Sequence, residues 1–375
     1  MKRHHILALC VTAIAVAVPC MFTRASVEAQ AGAPAAPAYV VDATWPKELP
    51  NKWIVGQVTG VAIDSRDHVF IVHRPGSLDA NETAASTNPP GAECCIAAPP
   101  VLEFDAAGNV VNGWGGPGVG FEWPDSEHGL YVDYRDHVWL TGNPHLALKF
   151  SHDGKFLLQI GTKGKTNGSN DPKLLGNATD LAVDPKTNEV FVSDGYANNR
   201  VVVFDADTGA YKRHWGAYGD TTPPDGRTKY DPKGPPARQF VVPHGIAMSN
   251  DGMVYVSDRL NDRIQAFTRE GKFVKEGVVA PQTLINGSAW GVEVSRDSQQ
   301  RYLFVADGTN GKVWILNRDT LQMIGSFGRQ GRHAGQFYWL HALAVDSKGN
   351  IYTAEVGHGR RVQKFVPRAM PTTAE

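Results

Sequence analysis

The sequence predicts an all-β fold, a six-bladed β-propeller, and three observations carry that prediction. One unit, an apolar run, a polar turn and a second apolar run, occurs six times in the 375 residues. Each copy is followed by one or two further short alternating runs, so a copy supplies up to four strands, the content of one propeller blade. No stretch downstream of the N-terminus sustains helical periodicity.

The six hairpins are TGVAIDSRDHVFIVHR (59–74), HGLYVDYRDHVWLTGN (128–143), TDLAVDPKTNEVFVSDG (179–195), HGIAMSNDGMVYVSDR (244–259), WGVEVSRDSQQRYLFVADG (290–308) and HALAVDSKGNIYTAEV (341–356). Third runs such as RVVVFD (200–205), RIQAFT (263–268) and RVQKFV (361–366) follow, and five copies add a fourth, for example FLLQIG or MIGSFG. The sixth copy stops after its third run, while the strand-like stretch Tyr39–Thr44 ahead of the first copy has no partner there. The expectation is that this N-terminal strand completes the last blade and closes the ring, leaving no open sheet edge. The propeller then occupies 59–366, preceded by a segment 32–58 and followed by a polar tail 367–375, with insertions at 75–99 and 219–238.

Residues 1–31 read as an export signal: a basic start, an apolar run Ile6–Val18 too short to span a bilayer, and the small-residue pattern Ala29-Gln30-Ala31. A periplasmic or secreted protein is expected, without stable membrane insertion once the signal is removed. The mature chain would keep only Cys94 and Cys95, so no long-range disulfide framework can form. Three states are open to that pair: a vicinal ring, pairing with another chain, or free thiols; an incidental loop feature is the default. A formal net charge of −1 offers no bulk attraction to nucleic acid.

The first residue of each copy reads Thr59, His128, Thr179, His244, Trp290 and His341. Histidine falls on alternate blades. In a closed ring of six such blades lie about a third of a turn apart, so three imidazoles converge on the axis, and three histidines with an open position make a catalytic zinc arrangement. A histidine before glycine can also simply cap a turn, but other copies make that turn with Thr or Trp. The remaining histidines (His68, His73, His137, His145, His152, His214, His333 and His358) share no repeat position and are read as surface or packing residues. The last residue of the second run reads Arg74, Asn143, Gly195, Arg259, Gly308 and Val356, placing guanidiniums on two opposed blades, where they would seat a carboxylate. Tyr196, beside Gly195, is a candidate acid or base.

The third-run starts NNRV, NDRI and NGKV (198–201, 261–264, 310–313) resemble NHL-type repeats, and Arg200, Arg263 and Arg361 at this place are read as structural. VGQVTGVAIDSRDHVFIVHR, TDLAVDPKTNEVFVSDGYANNRVVVF and QFVVPHGIAMSNDGMVYVSDRLNDRIQAF closely resemble peptidyl-α-hydroxyglycine α-amidating lyase, the lyase half of the peptide-amidating enzyme. The resemblance covers roughly residues 55–366. It implies a six-bladed propeller that binds Zn²⁺ through His128, His244 and His341 and cleaves a carbinolamide to an amide and glyoxylate. It implies site roles for Arg74, Arg259 and Tyr196, and a substrate, small molecule or peptide, that carries a carboxylate. It further implies a partner that performs the hydroxylation. Departures are Ala342 where the family has a Ca²⁺-binding aspartate, which argues against Ca²⁺ although carbonyls near Val61 and Leu130 remain; Trp339 for a methionine; and Ala197 for a cysteine. Alternatives are a metal-dependent lactonase or hydrolase, and a non-catalytic binding propeller.

Overall fold

The computed structural model describes residues 36–368. The expected export signal and nearly all of the polar tail lie outside them. Six four-stranded antiparallel sheets follow one another along the chain. Blade one is built from Gln57–Ile63, Val69–Arg74, Val101–Phe104 and Val110–Trp114, and blade two from Ser126–Val132, Val138–Asn143, Leu146–Phe150 and Phe156–Gly161. Blade three uses Ala178–Asp184, Glu189–Asp194, Arg200–Asp205 and Tyr211–Trp215; blade four Pro243–Met248, Val254–Asp258, Arg263–Phe267 and Phe273–Val278. Blade five comprises Gly291–Val294, Tyr302–Asp307, Lys312–Asn317 and Met323–Phe327. Blade six takes Leu340–Val345, Ile351–Glu355 and Arg361–Pro367 from the C-terminal end and Tyr39–Asp42 from the N-terminal end, paired in the register Val40 to Val366. The last strand thus runs one residue past the expected boundary at 366.

The core is six wedges rather than one centre. Each lies between neighbouring sheets: Phe70, Val101, Leu130 and Phe150 between blades one and two, Val202 and Phe204 with Trp139 between two and three, and Trp45, Ile71 and Phe104 with Tyr352 between one and six. The inner three strands of a blade are covered on both faces, which explains runs such as VFIV and LALKF where strict alternation would leave one face wet. Fourth strands stand at the rim and show it, with Val111, Leu157, Tyr211, Val274 and Met323 exposed. Among the described residues no helix is long and apolar enough to cross a membrane.

The insertion at 75–99 is anchored. Ile96–Ala97 pairs in parallel with Trp53–Ile54, and Glu82 forms an ion pair with Arg360 of blade six. Cys94 and Cys95 are joined as an adjacent-residue disulfide, in place of the incidental pair expected. The arginines read as structural are so: Arg200, wholly buried, binds Asp194 through Nε at 3.0 Å and donates to the carbonyls of Ser169, Asp171 and Leu174.

Candidate metal centre

The innermost strands share an irregularity. In blade one the ladder passes from Val58 to Gly60 and skips Thr59; in blade three it skips Thr179, in blade six His341, in blade two His128 and Gly129, and in blade four His244 and Gly245. A bulge leaves a residue unpaired and re-aims its side chain. Here it has two effects. On even blades it turns an imidazole to the axis, and on two odd blades it frees a carbonyl.

The two effects meet. Nδ1 of His128 donates to the carbonyl of Thr179 at 2.7 Å, Nδ1 of His244 to that of Trp290 at 2.9 Å, and Nδ1 of His341 to that of Thr59 at 2.7 Å. Every acceptor is the first residue of an odd copy, so each histidine is oriented by the next blade round the ring. Gly129 is required for this approach, because a Cβ there would stand 2.5 Å from the Thr179 carbonyl. Thr141 completes the arrangement: its hydroxyl accepts from Gly129 N–H at 2.8 Å and donates to Thr179 O at 3.0 Å.

With Nδ1 committed as donor, each Nε2 keeps its lone pair, the form that ligates a metal. Ring centroids lie 5.0, 4.7 and 4.9 Å apart. One nitrogen from each ring falls within 4.8 Å of the others, and all three residues are buried. Burial and mutual repulsion hold His128 and His244 well below the usual imidazole range; burial, followed by the field of Arg74, takes His341 to about 3. All three are therefore neutral at physiological pH. The triad can hold a metal ion, and its donor set fits Zn²⁺ without losing a proton.

Tyr196, Arg259 and Arg74 gather around this point. The Tyr196 hydroxyl is 3.2 Å from Nε2 of His128 and 3.2 Å from Nε2 of His244, and it accepts from Arg259 Nη1 at 3.1 Å. It is half-buried. Arg259 also donates to Asn286 O at 3.0 Å and lies 4.1 Å above the Trp290 ring. Arg74 donates to Glu127 O and to Gln57 Oε1. Neither guanidinium pairs with a carboxylate among the described residues, and burial lowers the pKa of both. A buried Arg259 and a half-buried Arg74, neither with a counter-ion among the described residues, make a strong seat for an anionic group.

Trp339 stands edge-on to Trp290 at 5.7 Å, 38% exposed, and forms part of the mouth. Arg227, from the insertion 219–238, donates to Tyr196 O at 2.6 Å. Below the triad the bore is lined by Val61, Leu130, Asp180, Glu293 and Ala342. The Ca²⁺ implied by the resemblance has no carboxylate at position 342.

Sequence reasoning missed the orienting carbonyls and Thr141. Backbone oxygens leave no residue signature, although Thr59, Thr179 and Trp290 hold the same repeat position as the histidines.

The NHL repeat is matched over residues 175–204. With six four-stranded blades, the chain is an NHL-repeat β-propeller. It is 28% identical over 329 residues to peptidyl-glycine alpha-amidating monooxygenase B of Xenopus laevis, a match covering 84% of this chain and 34% of that protein. The chain thus spans about a third of that relative's length. It is 28% identical over 352 residues to peptidyl-alpha-hydroxyglycine alpha-amidating lyase 2 of Drosophila melanogaster, covering 88% of this chain and 76% of that one. It is also 26% identical over 352 residues to NHL repeat-containing protein 3 of Homo sapiens, covering 88% and 84%. Among solved structures a gluconolactonase from Xanthomonas campestris superposes with a TM-score of 0.52 at 15% identity, covering 90% of this chain and 99% of that one, a likeness of fold alone.

Proposed function

We propose that the chain is an exported, zinc-dependent lyase that cleaves the C–N bond of a carbinolamide bearing a carboxylate, releasing an amide and glyoxylate. The observation that carries this reading is the meeting of three neutral imidazoles with one phenol and two unpaired guanidiniums. Relatives that include an amidating lyase support it. The basic and apolar start of the chain supports export.

His128, His244 and His341 would hold Zn²⁺, which supplies a Lewis acid for oxygen. Arg74 and Arg259 bind the substrate carboxylate and so fix the reacting carbon. The hydroxyl proton of the substrate passes through the Tyr196 oxygen to the amide nitrogen as the C–N bond breaks and the C=O bond of glyoxylate forms. Product atoms equal substrate atoms, so no co-reactant is needed. Arg259, donating to Tyr196, stabilises negative charge on the phenol oxygen while it carries no proton.

The test is to incubate the zinc-loaded chain with a peptide ending in α-hydroxyglycine and to measure glyoxylate. Release that depends on His244 supports the reading. Absence of release, or turnover of a lactone in its place, overturns it.

A further inference from the structure

A second set of metal-ligating atoms converges at the far end of the same strands. Asp64 directly follows the innermost strand of blade one, five residues after Thr59 and roughly 16 Å along an extended chain, so this cluster is separate from the triad. Asp64 and Glu103 present buried carboxylates, with side chains 0% and 4% exposed. His152, from the turn of blade two that follows Leu146–Phe150, adds an imidazole across the blade boundary.

The cluster's geometry is that of a coordination shell. His152 Nε2 lies 3.2 Å from Asp64 Oδ2 and 3.5 Å from Glu103 Oε1, and the three atoms lie within 4.8 Å of one another. Ligands at about 2.1 Å from a tetrahedral ion are about 3.4 Å apart. The other groups keep these atoms free. Asp64 Oδ1 accepts the turn N–H groups of Arg66 and His68, which leaves Oδ2 for the cluster. His68 Nδ1 stands 2.6 Å from Glu103 Oε1 and orients that carboxylate. His152 Nδ1 faces Asp153 at 3.5 Å, which favours the tautomer with Nε2 bare.

At the focus sits Nη2 of Arg66, 2.9 Å from Asp64 Oδ2, 3.0 Å from Glu103 Oε1 and 2.6 Å from His152 Nε2. Arg66 Nε adds a third hydrogen, to Asp64 Oδ2 at 3.1 Å, so one guanidinium serves all three acceptors but sets a single positive charge against two carboxylates. A divalent cation at that point would bind the same three atoms and balance both charges. The Arg66 side chain is 54% exposed, free to swing into solvent. We infer that Asp64, Glu103 and His152 form a second divalent-cation site, selective for a Zn²⁺-like ion over Ca²⁺ because one ligand is an imidazole, with Arg66 as the group the ion displaces. The site staples blade one to blade two, with His152 as a ligand and His68 orienting Glu103, roles beyond the surface or packing ones read from sequence.

The probe is Zn²⁺ alone, added to the purified full chain and counted by elemental analysis after removal of excess metal. The expected result is one equivalent that survives His244→Ala and is lost in both His152→Ala and Glu103→Gln. His152→Ala serves where loss of a buried carboxylate impairs folding, and Arg66→Ala should tighten this equivalent at least tenfold. The inference is overturned if no equivalent survives His244→Ala, or if one survives both cluster substitutions. It is overturned too if Arg66→Ala leaves affinity unchanged. The triad is scored separately by the equivalent lost in His244→Ala, so either site can fail alone.

Discussion

Nδ1 of His341 donates to the carbonyl of Thr59 at 2.7 Å, across 282 positions of sequence. The bond joins blade six to blade one and is the third of three equivalent contacts that fix the imidazoles. Hydrogen bonding of the non-ligating nitrogen sets both tautomer and ring orientation, and its loss typically costs 10–100-fold in metal affinity. Metal capture is therefore expected to depend on groups that never touch the ion.

Thr141 tests this directly. Thr141→Val preserves shape but removes the hydroxyl shared by Gly129 N–H and Thr179 O. Zn²⁺ affinity should fall about 10–100-fold, and stability by about 1–3 kcal/mol for the buried groups left unpaired. Competition with a chelator measures the first effect and urea unfolding the second.

Tyr196→Phe should leave the metal content intact, because the phenol is not a ligand in the proposed set. Turnover should drop about 10²–10⁴-fold, the range for loss of a general acid or base. Metal content and glyoxylate release, measured on the same preparation, check both halves.

Arg259→Ala should chiefly weaken substrate binding and lower turnover, since Arg259 lies over Trp290 and donates to Tyr196. Arg200→Ala should do the opposite. Its guanidinium is wholly buried and satisfies three carbonyls and Asp194, and breaking such a pair costs about 3–5 kcal/mol. Thermal unfolding should show Arg200→Ala as the far less stable protein, with the zinc count unchanged in both variants.

Asp180 predicts a pH dependence. It faces the narrow bore, enclosed by protein, and accepts from the N–H groups of Leu181 and Ile246. Glu293, Tyr131, Arg296 and the imidazoles of His128, His244 and His341 are the ionisable groups lining the same space. Burial, reinforced by the charge of Glu293, raises its pKa to about 8. Between the unfolded value near 4 and about 8 the folded chain binds the extra proton, so stability is greatest at the acid end and declines as pH rises through this window. Each pH unit corresponds to at most about 1.4 kcal/mol. Asp180→Asn should flatten that slope and be the more stable form at pH 8, as denaturant unfolding at several pH values would show.

The blade repeat was legible because the hairpin pattern returns six times, and the triad because His128, His244 and His341 occupy one repeat position on alternate copies. Arg74, Arg259 and Tyr196 were legible for the same reason, as a second aligned position at the strand ends. What sequence could not show is cooperation between unlike positions. Asp64, Glu103 and His152 come from an inner strand end, a third strand and a neighbouring blade's turn, and only the packing of one blade on the next brings them together. The carbonyls of Thr59, Thr179 and Trp290 are a different case: they belong to the main chain and are invisible to any reading of side-chain type.

The strand Tyr39–Asp42 pairs with Arg361–Pro367. The earlier strand must therefore wait for one more than 300 residues later, and the cost of closing so long a loop falls before the pairing can repay it. Until the final strand arrives, the sixth sheet is incomplete and its apolar wedge against blade one stays wet. A chain stopped short of Leu340–Val345 would hold five formed blades yet have neither His341 nor a finished seat for the ion.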